Sequence, residues 1–121
     1  MREGKCMLNQ VQLIGHLGVD PEVKHLQDGK LATFTLATTE KWKDANGIRQ
    51  EKTEWHRVTI FNDALVKVAE SYLRKGSKVF IQGRLSTDKY QKDGQDHYAT
   101  KIILSNYGAI LTMLDKKPEG E

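Results

Sequence analysis

The sequence predicts an all-β fold: a small barrel of five to six strands, interrupted by one short helix after the third. Three observations predict it. Most of the chain alternates apolar and polar residues with period two, as strands buried on one face do. Residues 62–73 alone switch to a helical period. Glycine, asparagine and aspartate punctuate the alternating runs, where tight turns need them.

Leu8–Leu17 puts Val11, Leu13, Gly15 and Leu17 on one side and Gln10, Gln12 and His16 on the other, a half-buried strand. The GVDP of residues 18–21 ends it, and Gln27-Asp28-Gly29 marks a turn. Leu31–Thr39 is threonine-rich, with Ala32, Phe34 and Leu36 on one side, and forms the second strand. Glu40–Lys52 is hydrophilic around Asn46-Gly47, the strongest short hairpin signal, and makes an extended tip leading to the third strand, Thr53–Phe61.

Leu65, Val68, Ala69 and Tyr72 recur at i, i+3, i+4 and i+7, the apolar stripe of a short helix. Asn62 or Asp63 caps its start, Arg74 and Lys75 suit its C-terminal end, and Gly76 suits a left-handed closing residue. Alternation resumes in Lys78–Tyr90, with Val79, Ile81 and Leu85 opposite Phe80, Gln82, Arg84, Ser86 and Tyr90. Lys92-Asp93-Gly94 turns the chain into a strand over His97–Leu104, and Ile110–Leu114 forms a short last strand. Connection lengths suggest an antiparallel sheet.

At 121 residues the chain suits one domain with a real core. The expected division is an N-terminal arm at 1–7, the barrel at 8–114 and a disordered end at 115–121, whose DKKPEGE has nothing to bury. One cysteine, Cys6, excludes an intrachain disulfide framework and reads as a bystander. No apolar run approaches membrane-spanning length, and the N-terminus lacks the apolar core of a secretory signal. A net charge of +3 is too small to identify a partner, so the placement of the charges has to decide.

The segment TEWHRVTIF (53–61) is the most informative. Trp55, Arg57, Thr59 and Phe61 share one strand face, and Glu54, His56, Val58 and Ile60 share the other. Arginine and threonine sit poorly in an apolar interior, so the tryptophan face reads as the wet one. Rings and a guanidinium on a wet face suit stacking by unpaired nucleobases. From this strand alone, ordinary core aromatics remain an open alternative. The hairpin tip adds Trp42 between Lys41 and Lys43, with Arg49 and Lys52 nearby. Solvation accounts for the charges but not for the ring. One helix after the third of five strands is the order of the oligonucleotide-binding barrel, which presents its second and third strands to its ligand.

Other chemistries lack their residues. His16, His25, His56 and His97 have no metal-ligand spacing, one cysteine cannot build a zinc site, and there is no phosphate-binding glycine loop. No metal or cofactor is expected. Glu54 and His56 share a strand face and could be drawn as an acid/base pair, but a surface or interface histidine is the preferred reading. The competing functions are thus a non-catalytic binder of single strands, an RNA-binding or primosomal accessory barrel, and a hydrolase or nuclease.

The stretches VQLIGHLGVDPEV (11–23), FTLATTEKW (34–42), EKTEWHRVTIF (51–61), YLRKGSKVFIQGRL (72–85) and GQDHYATKI (94–102) carry a resemblance. The chain resembles the bacterial-type single-stranded DNA-binding proteins, also found in mitochondria, over almost all of Leu8–Leu114. The resemblance implies a homotetramer of oligonucleotide-binding barrels that wraps single-stranded DNA without sequence preference during replication, recombination and repair. It places stacking on Trp42, Trp55 and Phe61, with Tyr90 where the family usually has tryptophan. Basic contacts map to Lys75, Lys89 and Arg57; Lys41, Lys43 and Arg84 complete the candidate set. His56 falls at a subunit-contact position. Gln10 and Gln12 of the first strand, and Phe80, are further self-association candidates.

Three departures accompany the resemblance. His16 stands where asparagine is usual. Asp88 stands where a basic residue is frequent, which puts that phosphate contact in question. The acidic tip through which bacterial members dock repair and replication proteins is not present in these residues, so such docking is not assigned. The implied compartment is the bacterial cytoplasm, with the mitochondrial matrix as the alternative, and no membrane association is expected. Four rings at about 1–3 kcal/mol each would supply roughly 4–12 kcal/mol per subunit before the cost of ordering the strand.

Overall fold

A computed structural model describes residues 7–105 and 108–115. Cys6, nearly all of the expected N-terminal arm and residues 116–121 of the expected C-terminal end lie outside the described residues. The elements in chain order are β1 (Val11–Leu17), β2 (Glu22–Leu26), β3 (Gly29–Lys43), β4 (Arg49–Ile60), α1 (Asp63–Tyr72), β5 (Lys78–Lys92), β6 (Gln95–Leu104) and β7 (Ile110–Met113).

Five of these strands close a barrel. β1 pairs with β3, β3 with β4, β4 with β6, β6 with β5, and β5 returns to β1. The all-β barrel with one short helix therefore stands. β2, a five-residue strand hairpinned onto β3, was not foreseen and puts the helix after the fourth strand in the chain. Its burial pattern is mostly exposed, so it lacks the apolar alternation that reveals a strand. One pairing corrects the antiparallel expectation: β4 and β6 run parallel, with Val58 opposite Ile102 and Ile60 opposite Leu104. The α1–β5 crossover between them is long enough to reverse the chain twice.

The alternation seen in the sequence becomes the inside of the barrel. Phe34 and Leu36 of β3, Val58 and Ile60 of β4, Val79 and Ile81 of β5, and Ile102 and Leu104 of β6 are buried together. Close packing demands close strand approach. A Cβ on Gly15 would lie 2.2 Å from the Ala37 carbonyl oxygen, and one on Gly83 would lie 2.4 Å from that of Ile103. Only glycine fits where these strands cross.

α1 packs across β2, β3 and β4. Of the two capping candidates, Asn62 is the N-cap, accepting from the backbone N–H groups of Ala64 and Leu65, and Asp63 lies in the first turn. The buried stripe is displaced by one position from the predicted one. Val66, Ala69 and Leu73 enter the core, whereas Tyr72 is exposed. Two apolar stripes overlap in this short helix, and the barrel takes the one that fills it with smaller side chains. Arg74 donates to the terminal carbonyls of Glu70 and Leu73. Gly76 is left-handed, at φ 91°, but lies three residues beyond the C-cap Leu73. Asp115, expected in the fraying end, accepts from the backbone N–H of Lys78 at 3.0 Å.

Candidate nucleic-acid interface

Strand register decides which side chains share the outer surface. Trp55 lies opposite Ala37, Arg57 opposite Thr35 and Thr59 opposite Thr33. Thr59 lies beside Ile103 of β6, which puts Lys101, Ala99 and His97 on the same outward face. Ile103 pairs with Arg84, Ala99 with Asp88, and His97 with Tyr90. The face that begins at Trp55 thus continues across β6 to Asp88, Tyr90 and Arg84.

All four predicted rings are open to solvent, from 42% exposure for Phe61 to 61% for Trp55. Trp55 is seated closely: a Cβ on Gly18 would come 2.4 Å from its Cζ3 and 2.8 Å from the Thr35 hydroxyl. The indole therefore lies against bare backbone. Tyr90 stacks on His97, with ring centroids 5.5 Å apart and planes 22° from parallel. The leucine expected to point inward with Val79 and Ile81, Leu85, is exposed where β5 leaves the barrel.

A groove of about 500 Å³ crosses this face. Thr33, Thr35, Arg57 and Thr59 form its floor, Asp20 and Glu22 one wall, and Asp88 and Lys101 the other. Its carboxylates are engaged. Asp20 accepts from the Lys75 backbone N–H at 2.7 Å, Glu22 lies 3.7 Å from the Lys24 ammonium, and Asp88 lies 2.8 Å from that of Lys101. A smaller cavity of about 150 Å³ beneath Trp55 is lined by Trp55, His56, Arg57, Leu85 and Lys101, among others.

The β3–β4 ribbon runs past the barrel and turns at Asp44–Ile48. Asp44 organises that turn, accepting from the backbone N–H groups of Asn46 and Ile48 and from the Gln50 amide. These donors, the Ile48 N–H foremost, hold its carboxyl below the ordinary value of 3.8. Trp42 lies opposite Gln50 on this arm, beside a cavity shared with Lys41, Lys43 and Arg49. By alternation Lys41 and Lys43 leave the ribbon on the Trp55 side, and Trp42 leaves on the other.

The remaining predicted residues divide. Lys75 is exposed in the turn that Asp20 anchors. Lys89 does not share the Tyr90 face; it pairs with Tyr98 in register and its ammonium lies 3.3 Å from Asp96. His56 is half-buried and hydrogen-bonded through Nε2 to the Thr38 hydroxyl at 2.9 Å. Gln10 is exposed, and Gln12 donates to Gln82. Phe80 is half-buried opposite Ile14, which is exposed. Sequence reasoning missed Lys101, Gly18 and His97: long-range pairing brings Gly18 to Trp55 and Lys101 to Arg57, whereas His97 meets Tyr90 through the β5–β6 hairpin register, a signal its turn residues carried. Among the described residues, no group of His, Cys, Asp and Glu could hold a metal ion, and no helix is long and apolar enough to cross a membrane.

Residues 8–110 match the single-strand binding protein family. The chain belongs to that family. It is 49% identical over 111 residues to the single-stranded DNA-binding protein of Rhizobium meliloti (strain 1021), covering 89% of this chain and 64% of that protein. It is 48% identical over 113 residues to the single-stranded DNA-binding protein of Rickettsia felis, covering 91% of this chain and 74% of that protein. The chain thus spans less than two thirds of the first of these relatives. Among solved structures it is similar to a Plasmodium falciparum SSB complex with ssDNA, with TM-score 0.85, 41% identity and coverage of 93% of this chain and all of that one. A deletion mutant of the Thermus aquaticus single-stranded DNA-binding protein superposes with TM-score 0.69 at 27% identity, covering 89% of this chain and 51% of that one. These are members of the family that the motifs indicated, and the family is one of binders rather than enzymes.

Proposed function

We propose that this chain binds single-stranded DNA without sequence preference, by stacking bases on Trp55, Phe61, Tyr90 and Trp42. The observation that carries the reading is the open indole of Trp55 beside Arg57 on the outer face of a single-strand binding barrel. Every base offers a π-face, so rings grip any sequence. Arg57, Lys41, Lys43, Lys75 and Arg84 meet the phosphates, and Lys89 joins them when it leaves Asp96. Each phosphate neutralised contributes a salt slope of about −0.7.

The chain works as a homotetramer, extending the track that one barrel covers. Gln10, Gln12 and Phe80 flank the exposed Ile14 on one sheet face, which supports self-association there, and His56 contributes a second contact. The assembled protein protects single strands during replication, recombination and repair, in the bacterial cytoplasm or, in the alternative, the mitochondrial matrix.

The deciding experiment is Trp55→Ala, assayed by titration with a thymine oligodeoxynucleotide. Binding weakens by about 1–3 kcal/mol while the fold, followed by circular dichroism, persists. Unchanged affinity in a folded variant refutes the stacking role.

A further inference from the structure

Arg57 and Lys101 immediately precede Val58 and Ile102, the first matched pair of the parallel β4–β6 ladder. They are therefore neighbours on one outward face. Both line the large groove, and both line the cavity beneath Trp55. Like charges on adjacent strands repel. The opposing charge comes from β5: Lys101 is matched to Ser86, and Asp88 lies two residues further on the same face, diagonally placed to reach it. The Asp88 carboxylate sits 2.8 Å from the Lys101 ammonium. The Lys101 side chain is only 30% exposed, whereas that of Asp88 is 58% exposed. The lysine is embedded in the groove, and its carboxylate partner lies nearer to solvent.

This arrangement is an anion site filled by one of the protein's own side chains. An ammonium that seats a carboxylate oxygen at this distance seats a phosphate oxygen equally well. The other ion pair of this hairpin, Lys89 with Asp96, lies on its opposite face. Resting on the function proposed above, we propose that Lys101 is a further phosphate-binding residue of the interface. Asp88 holds it in the free protein, and the incoming strand displaces the carboxylate. A displaced carboxylate takes up a cation from solution, so this contact yields less net counterion release than a free lysine would.

The test is a salt series of binding isotherms with a labelled thymine oligodeoxynucleotide. The proteins are wild type, Asp88→Asn, Asp88→Ser, Lys101→Gln and the Asp88→Asn/Lys101→Gln double variant. Removing the carboxylate tightens binding about two- to fivefold, the scale of an exposed ion pair, and steepens the salt slope by up to about 0.7. Lys101→Gln weakens binding and flattens the slope. In the Lys101→Gln background, Asp88→Asn has no further effect. A purely structural role for Asp88 would lower the melting temperature and leave the slope unmoved, which overturns the proposal. So does a gain from Asp88→Asn that persists in full without Lys101, since Asp88 would then act by general repulsion. Wild-type protein that fails to bind overturns the parent reading before any variant is compared, whereas binding wild type with unresponsive Asp88 variants overturns only this one.

Discussion

The indole of Trp55 rests against the backbone of Gly18, close enough that a single added methyl group would come 2.4 Å from Cζ3. The loop after β1 therefore sets the ring's tilt. Gly18→Ala pushes the ring out of its seat while the core residues, on the other side of the sheet, stay packed. The expected result is a folded protein with a shifted tryptophan emission and a loss of about 1 kcal/mol in single-strand affinity, the lower end of removing a stacked ring. Titration against a thymine oligodeoxynucleotide, with the emission spectrum recorded in parallel, measures both.

Trp42 and Trp55 leave the β3–β4 ribbon on opposite faces, and Trp42 lies five residues beyond Ala37, the partner of Trp55. At strand rise that is about 17 Å. A short oligonucleotide lying on the Trp55 face should miss Trp42. In Trp42→Phe protein, short thymine oligomers quench the remaining indole. In Trp55→Phe protein, quenching requires strands long enough to round the arm. Equal quenching by short oligomers in both variants would place the two rings on one track.

Asp44 makes the arm's turn sensitive to acid. Its carboxyl is held below 3.8, so its stabilising contribution is fully present above that value. It is lost as pH falls through the lower, folded value. Amide exchange at Asn46 and Ile48 therefore quickens, relative to the rest of the arm, as Asp44 protonates. Asp44→Asn keeps a carbonyl acceptor and removes that acid step. The barrel core, remote from this turn, keeps its melting temperature.

Ile14 and Phe80 face each other across β1 and β5 on the outer side of the barrel. A charge in this patch should oppose self-association, because a second subunit would have to bury it unpaired. Sedimentation at micromolar concentration should show four subunits for the wild-type chain and smaller species for Ile14→Lys. An unchanged assembly would move the interface elsewhere.

Much of this was legible in the residues. Alternation in TEWHRVTIF separated Val58 and Ile60, which are buried, from Trp55, Arg57 and Phe61, which are exposed, although Thr59, expected on the same wet face, is buried between β3 and β6. A cap at Asn62 or Asp63, resolved as Asn62, and the Asp93-Gly94 turn, with φ of 55° and 77°, were also legible. These features follow from backbone periodicity and local hydrogen bonding, which act over a few residues. The buried stripe of α1 was less legible, because helical period admits both Tyr72 and Leu73 and only the shape of the barrel interior chooses between them.

What the residues could not disclose depends on contacts far apart in the chain. The parallel β4–β6 pairing and the seating of Trp55 on Gly18 each join segments whose separation no local pattern encodes, whereas the meeting of Asp88 with Lys101 follows from the register of the β5–β6 hairpin. Pairing register is chosen by the burial of whole faces at once, since a slip of one residue would turn every core side chain outward. Alternation and turn residues thus specified the barrel and its outward rings, and the motif stretches carried the resemblance to the family, while barrel closure selected which charges and which glycine those rings have as neighbours.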